Sequence, residues 1–338
     1  MKKVKMGDVK MQFQAAITAI GSYVPERKLT NVDLEKMVQT NDEWIVRRTG
    51  IKERRVIGEV EHTSDLCCKA AHNLAKRYSL HLDDVDMVLV CTLTPDFKTP
   101  STASIVQYKL GIPSCGAIDL NAACAGFTYG LYMANALVTA GLNKKVLVIG
   151  AESLTSITDF TDRTTAILFG DGAGAVLVEK SSESSFLECE VGSQGQYGKH
   201  LYSTNLASDW EGTPLTSNGK IVQNGREVYK WAVTEVPKGI ERLVRKADAQ
   251  MENIDWFIPH SANLRMIEAI CQRSGIAIER TLYSMEYYGN TSSASIPLAL
   301  DTAVRNGKVS NNDLLLLYGF GGGLAYAGLL VNWQGSLY

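Results

Sequence analysis

One cysteine, Cys124, lies where the sequence could make it a nucleophile. It stands in NAACAGFTYGL, between a strand-like apolar stretch that ends near Leu120 and a helix pattern that begins near Phe127. Unpaired N–H groups and the helix dipole favour a thiolate at a helix N-terminus, so we expect a lowered pKa for this thiol. The alternative is a buried structural cysteine, which is the interpretation we give to the other six cysteines.

A histidine, an asparagine and a run of glycines occupy comparable positions. His260 follows the strand pattern DWFIP and precedes a helix pattern, a position at which open α/β sheets bind ligands. Asn290 lies in GNTSSASIP, where Gly289 permits a sharp turn. Backbone at the three glycines 321–323 can approach a ligand closely and donate N–H groups to an oxyanion. Helix caps and a tight turn explain the same residues without any chemistry.

A cysteine, a histidine and an asparagine together supply the groups that acyl transfer needs. Their order in the chain also matches papain-like proteases, in which the histidine is the general base and the asparagine orients it. However, the tryptophan that follows the nucleophile in that signature is missing, and Cys124 lies among alanines. The N-terminal stretch MKKVKMGDVKMQFQ has no apolar signal core, which also argues against a secreted protease.

Composition limits the partners that the chain can have. Its 338 residues carry 34 Lys and Arg against 36 Asp and Glu, a net charge of −2, without the charge blocks that bind nucleic acid or membranes. No apolar run is long enough to span a membrane, so we expect a soluble cytoplasmic protein. The seven cysteines include no C-x-x-C pair, which favours reduced thiols over a disulfide framework or a metal site.

The elements that would position these residues alternate along the chain. Apolar stretches predict buried strands at 85–92, 145–152, 254–260 and 313–320. Helix patterns lie at 64–78, 101–110, 125–140, 226–247 and 263–274. This alternation predicts an α/β protein with helices packed on sheets. Similar glycine-strand patterns, FGDGAGAVLV and FGGGLAYAGLLV, suggest two related halves, 1–180 and 181–338, with a linker or surface insertion within 180–220.

Taken together, these motifs resemble β-ketoacyl-acyl-carrier-protein synthase III, of the thiolase-fold condensing enzymes. The resemblance rests on NAACAGFTYGL, PHSANLRM, GNTSSASIP, FGDGAGA and GFGGG, with TNVDLEKMVQTNDEWIVRRTGIKER nearer the start, and it runs from about Ile17 to Trp333. It implies a thiolase-like five-layered αβαβα fold built from two duplicated halves, and a homodimer. It also implies an acyltransferase without a cofactor or metal that joins an acyl-CoA primer to malonyl-acyl carrier protein and so initiates fatty acid biosynthesis.

The resemblance also implies a role for each candidate residue. Cys124 takes the acyl group from acyl-CoA, while the backbone N–H groups of Cys124 and Gly322 hold the oxyanion. His260, as a neutral imidazole, and Asn290 then donate hydrogen bonds to the malonyl thioester carbonyl as CO₂ leaves. Decarboxylation moves negative charge onto that oxygen, so donors aimed at it act more strongly in the transition state than in the substrate.

Two further groups of residues follow from the same resemblance. The adenine and phosphate end of CoA is expected to contact Trp44, Arg48 and Arg163. The acidic carrier protein is expected to contact a basic patch formed by Arg265, Arg273 and Lys230. Ordinary packing of the tryptophan and solvated surface charge are the plainer explanations of these residues.

The chain departs from the family pattern at a few positions. Ser261 replaces the glutamine that usually follows the histidine, which could loosen the support of that residue. Thr99 stands where an aromatic residue often closes the acyl pocket at the dimer interface, and Phe97 could fill the gap. Arg226 stands where some members have an asparagine that contacts CoA.

Other functions of the same fold remain open. A thiolase needs a second cysteine near the C-terminal glycine turn, and residues 313–331 contain none. The elongating synthases use two histidines, where this chain has Asn290 as the second group. A polyketide-type synthase that extends with malonyl-CoA, and a non-catalytic protein that binds acyl-CoA or carrier protein, are the remaining alternatives.

Overall fold

The first half of the chain builds a five-stranded sheet in the computed structural model, which describes residues 13–335. The strands of this half are β1 (Gln14–Tyr23), β2 (Lys28–Thr30), β3 (Glu53–Arg55), β4 (Met87–Cys91), β5 (Gly116–Leu120), β6 (Lys145–Ser153) and β7 (Asp171–Ser181). The helices are α1 (Asn31–Glu35), α2 (Asp42–Thr49), α3 (Thr63–Tyr78), α4 (Thr102–Lys109), α5 (Gly126–Thr139) and α6 (Arg163–Ala166). Most of the N-terminal stretch judged above lies outside the described residues.

The second half builds a four-stranded sheet and three smaller additions. Its strands are β8 (Phe186–Ser193), β9 (Leu201–Ser203), β10 (Asp209–Trp210), β11 (Thr213–Pro214), β12 (Ile221–Gln223), β13 (Trp256–Pro259), β14 (Leu314–Gly321) and β15 (Ala325–Asn332). Its helices are α7 (Gly225–Lys246), α8 (Leu264–Ser274), α9 (Met285–Tyr288) and α10 (Ser295–Arg305). The additions are the antiparallel pairs β9–β12 and β10–β11, and a four-residue helix, α9.

The two large sheets repeat one topology. The first has the order β1-β7-β6-β4-β5, and the second has the order β8-β15-β14-β13. In both orders, the first two pairs of neighbouring strands are antiparallel and the third pair is parallel. A single parallel bridge between Phe257 and Thr281 stands where β5 stands in the first sheet. The predicted duplication is therefore visible in the strand order and strand direction.

Helices separate and cover the two sheets. Helices α5 and α10 contact strands of both sheets and form the central layer. Helices α3 and α4 pack on the outer face of the first sheet, and α7 and α8 cover the second. The result is the predicted succession of five layers, helix, sheet, helix, sheet and helix.

The sequence located most elements of this core but missed two strands. The predicted linker region contains β8, an integral edge strand of the second sheet, so that assignment was wrong for Phe186–Ser193. In the segment FLECEVGS the apolar Leu187 and Val191 are exposed whereas Glu190 is buried, so its apolar residues do not mark the face that packs inward. Strand β1 was also missed, since alanine, glycine and serine dilute its apolar signal. The division after residue 180 stays a prediction; β7 ends at Ser181.

The end of β6 carries a buried carboxylic acid, Glu152, that fastens the first sheet together. Its Oε2 accepts hydrogen bonds from Thr92 Oγ1 at 3.1 Å, from the Leu93 N–H at 3.1 Å and from Thr94 Oγ1 at 2.8 Å. These donors follow β4, so the carboxyl group fixes the loop after that strand. Burial raises the pKa of Glu152 to about 7, and the four hydrogen bonds only partly oppose this rise.

The second oxygen of Glu152 reaches into the other half of the chain. Its Oε1 lies 3.0 Å from the hydroxyl of Ser293, and that hydroxyl donates to the Cys91 carbonyl at 2.7 Å. One hydroxyl proton cannot serve both acceptors. Ionised Glu152 accepts from this hydroxyl, whereas protonated Glu152 can donate from Oε1–H to Ser293 Oγ. In either state, Glu152 connects the first sheet to the turn that precedes α10.

We predict that Glu152→Gln removes part of the pH dependence of stability. Because the folded-state pKa of about 7 exceeds the ordinary 4.5, the wild type loses stability as pH rises from about 4.5 through 7, by about 3 kcal/mol in total. Glutamine keeps the neutral donor and acceptor and escapes this loss. Urea denaturation at pH 5 and pH 8 measures it, with the exposed Glu59→Gln as the charge control. An equal loss in wild type and Glu152→Gln would contradict the assignment.

Candidate active site

The predicted cysteine, histidine, asparagine and glycine all line one cavity of about 840 Å³. Cys124 comes from the end of the β5 connection, His260 from the end of β13, Asn290 from the turn before α10, and Gly322 from the turn after β14. Each segment is a different connection, and that of Asn290 joins the helices α9 and α10. The fold therefore brings together residues from both halves at the place where their strand ends meet.

Cys124 lies in the 3₁₀ turn Ala123–Ala125, immediately before α5. The backbone of β14 passes very close to it: a Cβ added to Gly321 would lie 2.7 Å from Cys124 Sγ. Only glycine fits there, which explains the first residue of the glycine run. The N–H groups of Gly322 and of Cys124 itself lower the pKa of this thiol.

The protonation state of Cys124 differs from the expectation. Burial raises the pKa of the thiol to about 11, and hydrogen bonds from Ser292, Gly322 and its own N–H lower it only in part. The expected lowering by the helix N-terminus was wrong for the unliganded protein, because the surrounding apolar packing outweighs it. The resting group is therefore a thiol that already faces donors able to stabilise a thiolate.

His260 is a fully buried, neutral imidazole. Its backbone N–H donates to the Tyr318 carbonyl at 2.9 Å, and its Nδ1 lies 2.8 Å from Ser295 Oγ. The imidazole and the Phe320 ring pack edge to face, with their centroids 5.4 Å apart. Burial lowers the pKa of His260 to about 3, and a hydrogen bond to the backbone of Ser292 opposes this only weakly. The ring can thus donate or accept one hydrogen bond at neutral pH, but it carries no charge.

Ser261, in place of the usual glutamine, is itself held on both sides. Its N–H donates to Ser295 Oγ at 3.2 Å, and its hydroxyl accepts from the Ser284 N–H at 3.0 Å. Ser295 therefore receives the Ser261 N–H and contacts His260 at the same time. Ser261 and His260 thus share one hydroxyl, that of Ser295.

Asn290 is fixed to the first half by its own backbone. Its N–H donates to the Leu168 carbonyl at 2.8 Å, and its carbonyl accepts from the Gly170 N–H at 3.0 Å. Its Oδ1 accepts from the Ser292 N–H at 2.9 Å, which leaves the amide NH₂ as its free donor group. Gly289 precedes it with a φ of +70°, where any Cβ would clash with Arg54.

The expected CoA-binding residues meet outside this cavity. The Arg163 guanidinium lies 5.2 Å from the Trp44 ring, and Arg163 Nη1 donates to the Gln39 carbonyl at 3.4 Å. Arg48 is exposed one turn after Trp44 on α2. An aromatic face beside two exposed cations suits a nucleotide with phosphates.

The expected carrier-protein residues differ in their surroundings. Arg265 and Lys230 are exposed on the neighbouring helices α8 and α7. Arg273 instead donates from Nη1 to the Val233 carbonyl at 2.8 Å. That carbonyl has no helical partner because Pro237, four residues later inside α7, lacks an N–H. Arg273 therefore supplies the hydrogen bond that Pro237 cannot donate within α7.

Of the two residues expected at the entrance of the acyl pocket, one lines the cavity and one does not. Phe97 lines the cavity although its side chain is 60% exposed, whereas Thr99 is exposed and does not line it in the single chain. Arg226 is exposed in the first turn of α7. Sequence reasoning missed Ser292 and Ser295, because the hydroxyl residues after Asn290 also suit a helix cap. It missed Glu152, because this residue lies in a strand that was identified only by its apolar residues.

Residues 13–335 contain neither a metal-binding cluster nor a membrane-spanning helix. No three His, Cys, Asp or Glu side chains are grouped so that they could hold a metal ion. None of the helices described there combines the length and apolarity that crossing a membrane requires.

Comparison with known proteins agrees with the resemblance. The family model for 3-oxoacyl-[acyl-carrier-protein] synthase III matches residues 118–195, and the model for its C-terminal part matches residues 244–333. β-Ketoacyl-[acyl-carrier-protein] synthase III 2 of Halalkalibacterium halodurans is 63% identical over 95% of this chain and 97% of its own. The Bacillus subtilis protein of the same name is 56% identical over 95% and 99%.

Solved structures give the same result for the fold. The β-ketoacyl-[acyl-carrier-protein] synthase III of Thermus thermophilus superposes with a TM-score of 0.91 at 46% identity, covering 95% of this chain and 100% of its own. The priming β-ketosynthase of the R1128 polyketide pathway superposes with a TM-score of 0.89 at 32% identity, covering 96% and 97%. The predicted thiolase-like fold is confirmed, and the chain belongs to the β-ketoacyl-[acyl-carrier-protein] synthase III family.

Proposed function

We propose that this chain condenses an acyl-CoA primer with malonyl-acyl carrier protein, releasing CO₂ and giving the 3-oxoacyl-acyl carrier protein that starts fatty acid biosynthesis. The observation that carries the proposal is the meeting of Cys124, His260 and Asn290 in one cavity that Gly322 also lines. A nucleophile, two neutral hydrogen-bonding groups and an oxyanion site are what this chemistry needs.

The first step transfers the acyl group. Cys124 sulfur attacks the thioester carbonyl of acyl-CoA, the bond from that carbon to the CoA sulfur breaks, and the thiol proton ends on the CoA thiol. The N–H groups of Cys124 and Gly322 receive the oxyanion. Trp44, Arg48 and Arg163 bind the adenine and phosphate end of CoA, with the adenine on the tryptophan face.

The second step makes the carbon nucleophile. His260 and Asn290 donate to the thioester oxygen of the malonyl group while the bond to the carboxylate breaks and CO₂ leaves. The enolate attacks the acyl-cysteine, and the thiolate departs as the carbon–carbon bond forms. A neutral imidazole suits this role, because its hydrogen bond strengthens as charge develops on the oxygen.

None of these steps needs a metal or a cofactor, and phosphates and the carrier protein are the only charged partners that we propose. The working compartment is then the cytoplasm, consistent with seven unpaired cysteines.

Condensation assays with the two malonyl donors test the proposal. We expect product from acetyl-CoA with malonyl-acyl carrier protein, loss of acyl loading in Cys124→Ser, and normal loading in His260→Ala with malonyl decarboxylation reduced at least about 100-fold. Mass spectrometry of the Cys124 peptide measures loading, and labelled CO₂ release measures decarboxylation. If acetyl-CoA gives product with malonyl-CoA but not with malonyl-acyl carrier protein, the polyketide-type alternative is supported. The structural similarity to the R1128 priming ketosynthase favours that alternative. An absent acyl adduct would support a non-catalytic binding protein.

We propose Arg265 and Lys230 as the carrier-protein surface, with Arg273 as its structural support. Both exposed cations stand on helices α8 and α7, which pack together, and such a patch suits an acidic partner. The Arg273 hydrogen bond to Val233 keeps these two helices in register.

We predict that Arg265→Glu and Arg273→Ala fail in different ways. Arg265→Glu raises the KM for malonyl-acyl carrier protein roughly tenfold with an unchanged melting temperature, because only surface charge changes. Arg273→Ala lowers stability by about 1–2 kcal/mol, because the Val233 carbonyl loses its donor. Steady-state kinetics and thermal melts separate them. A melting-temperature loss in both, or in neither, would contradict the division.

We propose that the chain forms a homodimer through the face made by β5, α5 and β8. Within the described part of the chain, strand β5 pairs only with β4, which leaves its outer edge unpaired, and Ile118 on this strand is 43% exposed. On α5, which contacts β8, Met133 is 36% exposed, and Val191 on β8 is 37% exposed. An open strand edge beside exposed apolar residues is a typical site of association.

We predict that Met133→Asp together with Ile118→Asp yields monomers, because buried carboxylates without partners oppose association. Light scattering after gel filtration measures the mass. Val60→Asp, an equally apolar and more exposed position near β3, serves as the control and stays dimeric. A dimer in the double variant would exclude this face.

A further inference from the structure

Ser292 lies among the three proposed catalytic residues. It begins the 3₁₀ turn Ser292–Ala294, two residues after Asn290, and lines the same cavity as Cys124, His260 and Asn290. Its N–H donates to Asn290 Oδ1 at 2.9 Å. The turn that Ser292 begins packs against the turn Ala123–Ala125, which carries Cys124.

The local backbone is unusual for a serine. Ser292 is 1% exposed and has a φ of +48°, in the left-handed region that glycine occupies without strain. Residues held in this region cluster at functional sites, where the surrounding structure enforces them. Glycine would fit this backbone without strain, so the presence of serine indicates a role for its side chain.

The hydroxyl offers that explanation. Among residues 13–335 it has no hydrogen-bond partner, and leaving a buried hydroxyl unpaired is unfavourable. Cys124 lines the same cavity on the adjoining 3₁₀ turn, and the proximity of the hydroxyl lowers the pKa of its thiol. A neutral thiol accepts hydrogen bonds weakly, whereas a thiolate accepts them strongly, so this contact gains most when charge develops on sulfur.

We propose that Ser292 is a further catalytic residue, whose hydroxyl donates a hydrogen bond to Cys124 sulfur as it becomes a thiolate, both when the acyl group is taken up and when it is released. The inference rests on the proposed function. Ser292 forms no covalent bond and exchanges no proton, since the thiol proton passes to the departing CoA sulfur. The hydroxyl acts beside the Gly322 and Cys124 N–H groups.

Alkylation of Cys124 by iodoacetamide across a pH series tests this in the full-length protein. In Ser292→Ala and Ser292→Gly we expect the profile to move to higher pH by about one unit, and acyl loading from acetyl-CoA to fall roughly tenfold, because a hydrogen bond to a charged group is lost. Malonyl decarboxylation changes less than loading, because the backbone hydrogen bond to Asn290 remains. Thermal melts identify misfolding, and the glycine variant suits the observed φ if the alanine variant does not fold.

Thr291→Val is the matched control. Thr291 is the preceding residue, is fully buried and carries a hydroxyl without a hydrogen-bond partner in the described part of the chain, but it does not line the cavity. We expect its alkylation profile to equal that of the wild type. The proposal is overturned if either Ser292 variant keeps the wild-type profile, or if Thr291→Val shifts it equally. Because alkylation needs no substrate, a failed condensation assay and a failed Ser292 proposal remain distinct outcomes.

Discussion

The site depends on one constraint, the backbone pairing of Asn290 with Leu168 and Gly170. These two hydrogen bonds join the turn before α10 to the segment before β7, so a loop of the second half is held as if it were a strand of the first. Glycines on both sides are needed because any Cβ would collide: Gly170 with the Tyr288 carbonyl, and Gly289 with Arg54. Without this pairing, the asparagine and the hydroxyl cluster after it would have no fixed position relative to the cysteine.

Burial sets the electrostatics of the cavity. The same apolar packing raises the pKa of the Cys124 thiol and lowers that of the His260 imidazole, so the resting site holds two neutral groups and no ion pair. A papain-like thiolate–imidazolium pair would be unfavourable here. Hydrogen-bond donors instead surround the positions where charge develops during reaction, which is the arrangement that favours transition states over ground states.

The sequence predicted the strand-helix alternation, the duplication and the residues around the cavity, because each depends on local apolar periodicity or on a motif. It failed where tertiary packing decides. Strand β8 alternates like a surface segment, and only pairing with β15 shows that it is part of the core. The thiol pKa of Cys124 depends on how deeply neighbours cover it. The roles of Glu152 and Ser292 depend on contacts across more than 100 residues of chain.

The hydrogen bond from Arg273 to Val233 links the evolution of two helices. Pro237 removes a backbone donor from α7, and an arginine on α8 replaces it. Exchange of the proline for a residue with an N–H frees the arginine, whereas exchange of the arginine alone leaves the carbonyl unpaired. The order of substitution at these two positions therefore matters. Loss of the proline before the arginine keeps every carbonyl of this pair satisfied, whereas loss of the arginine first produces a less stable intermediate.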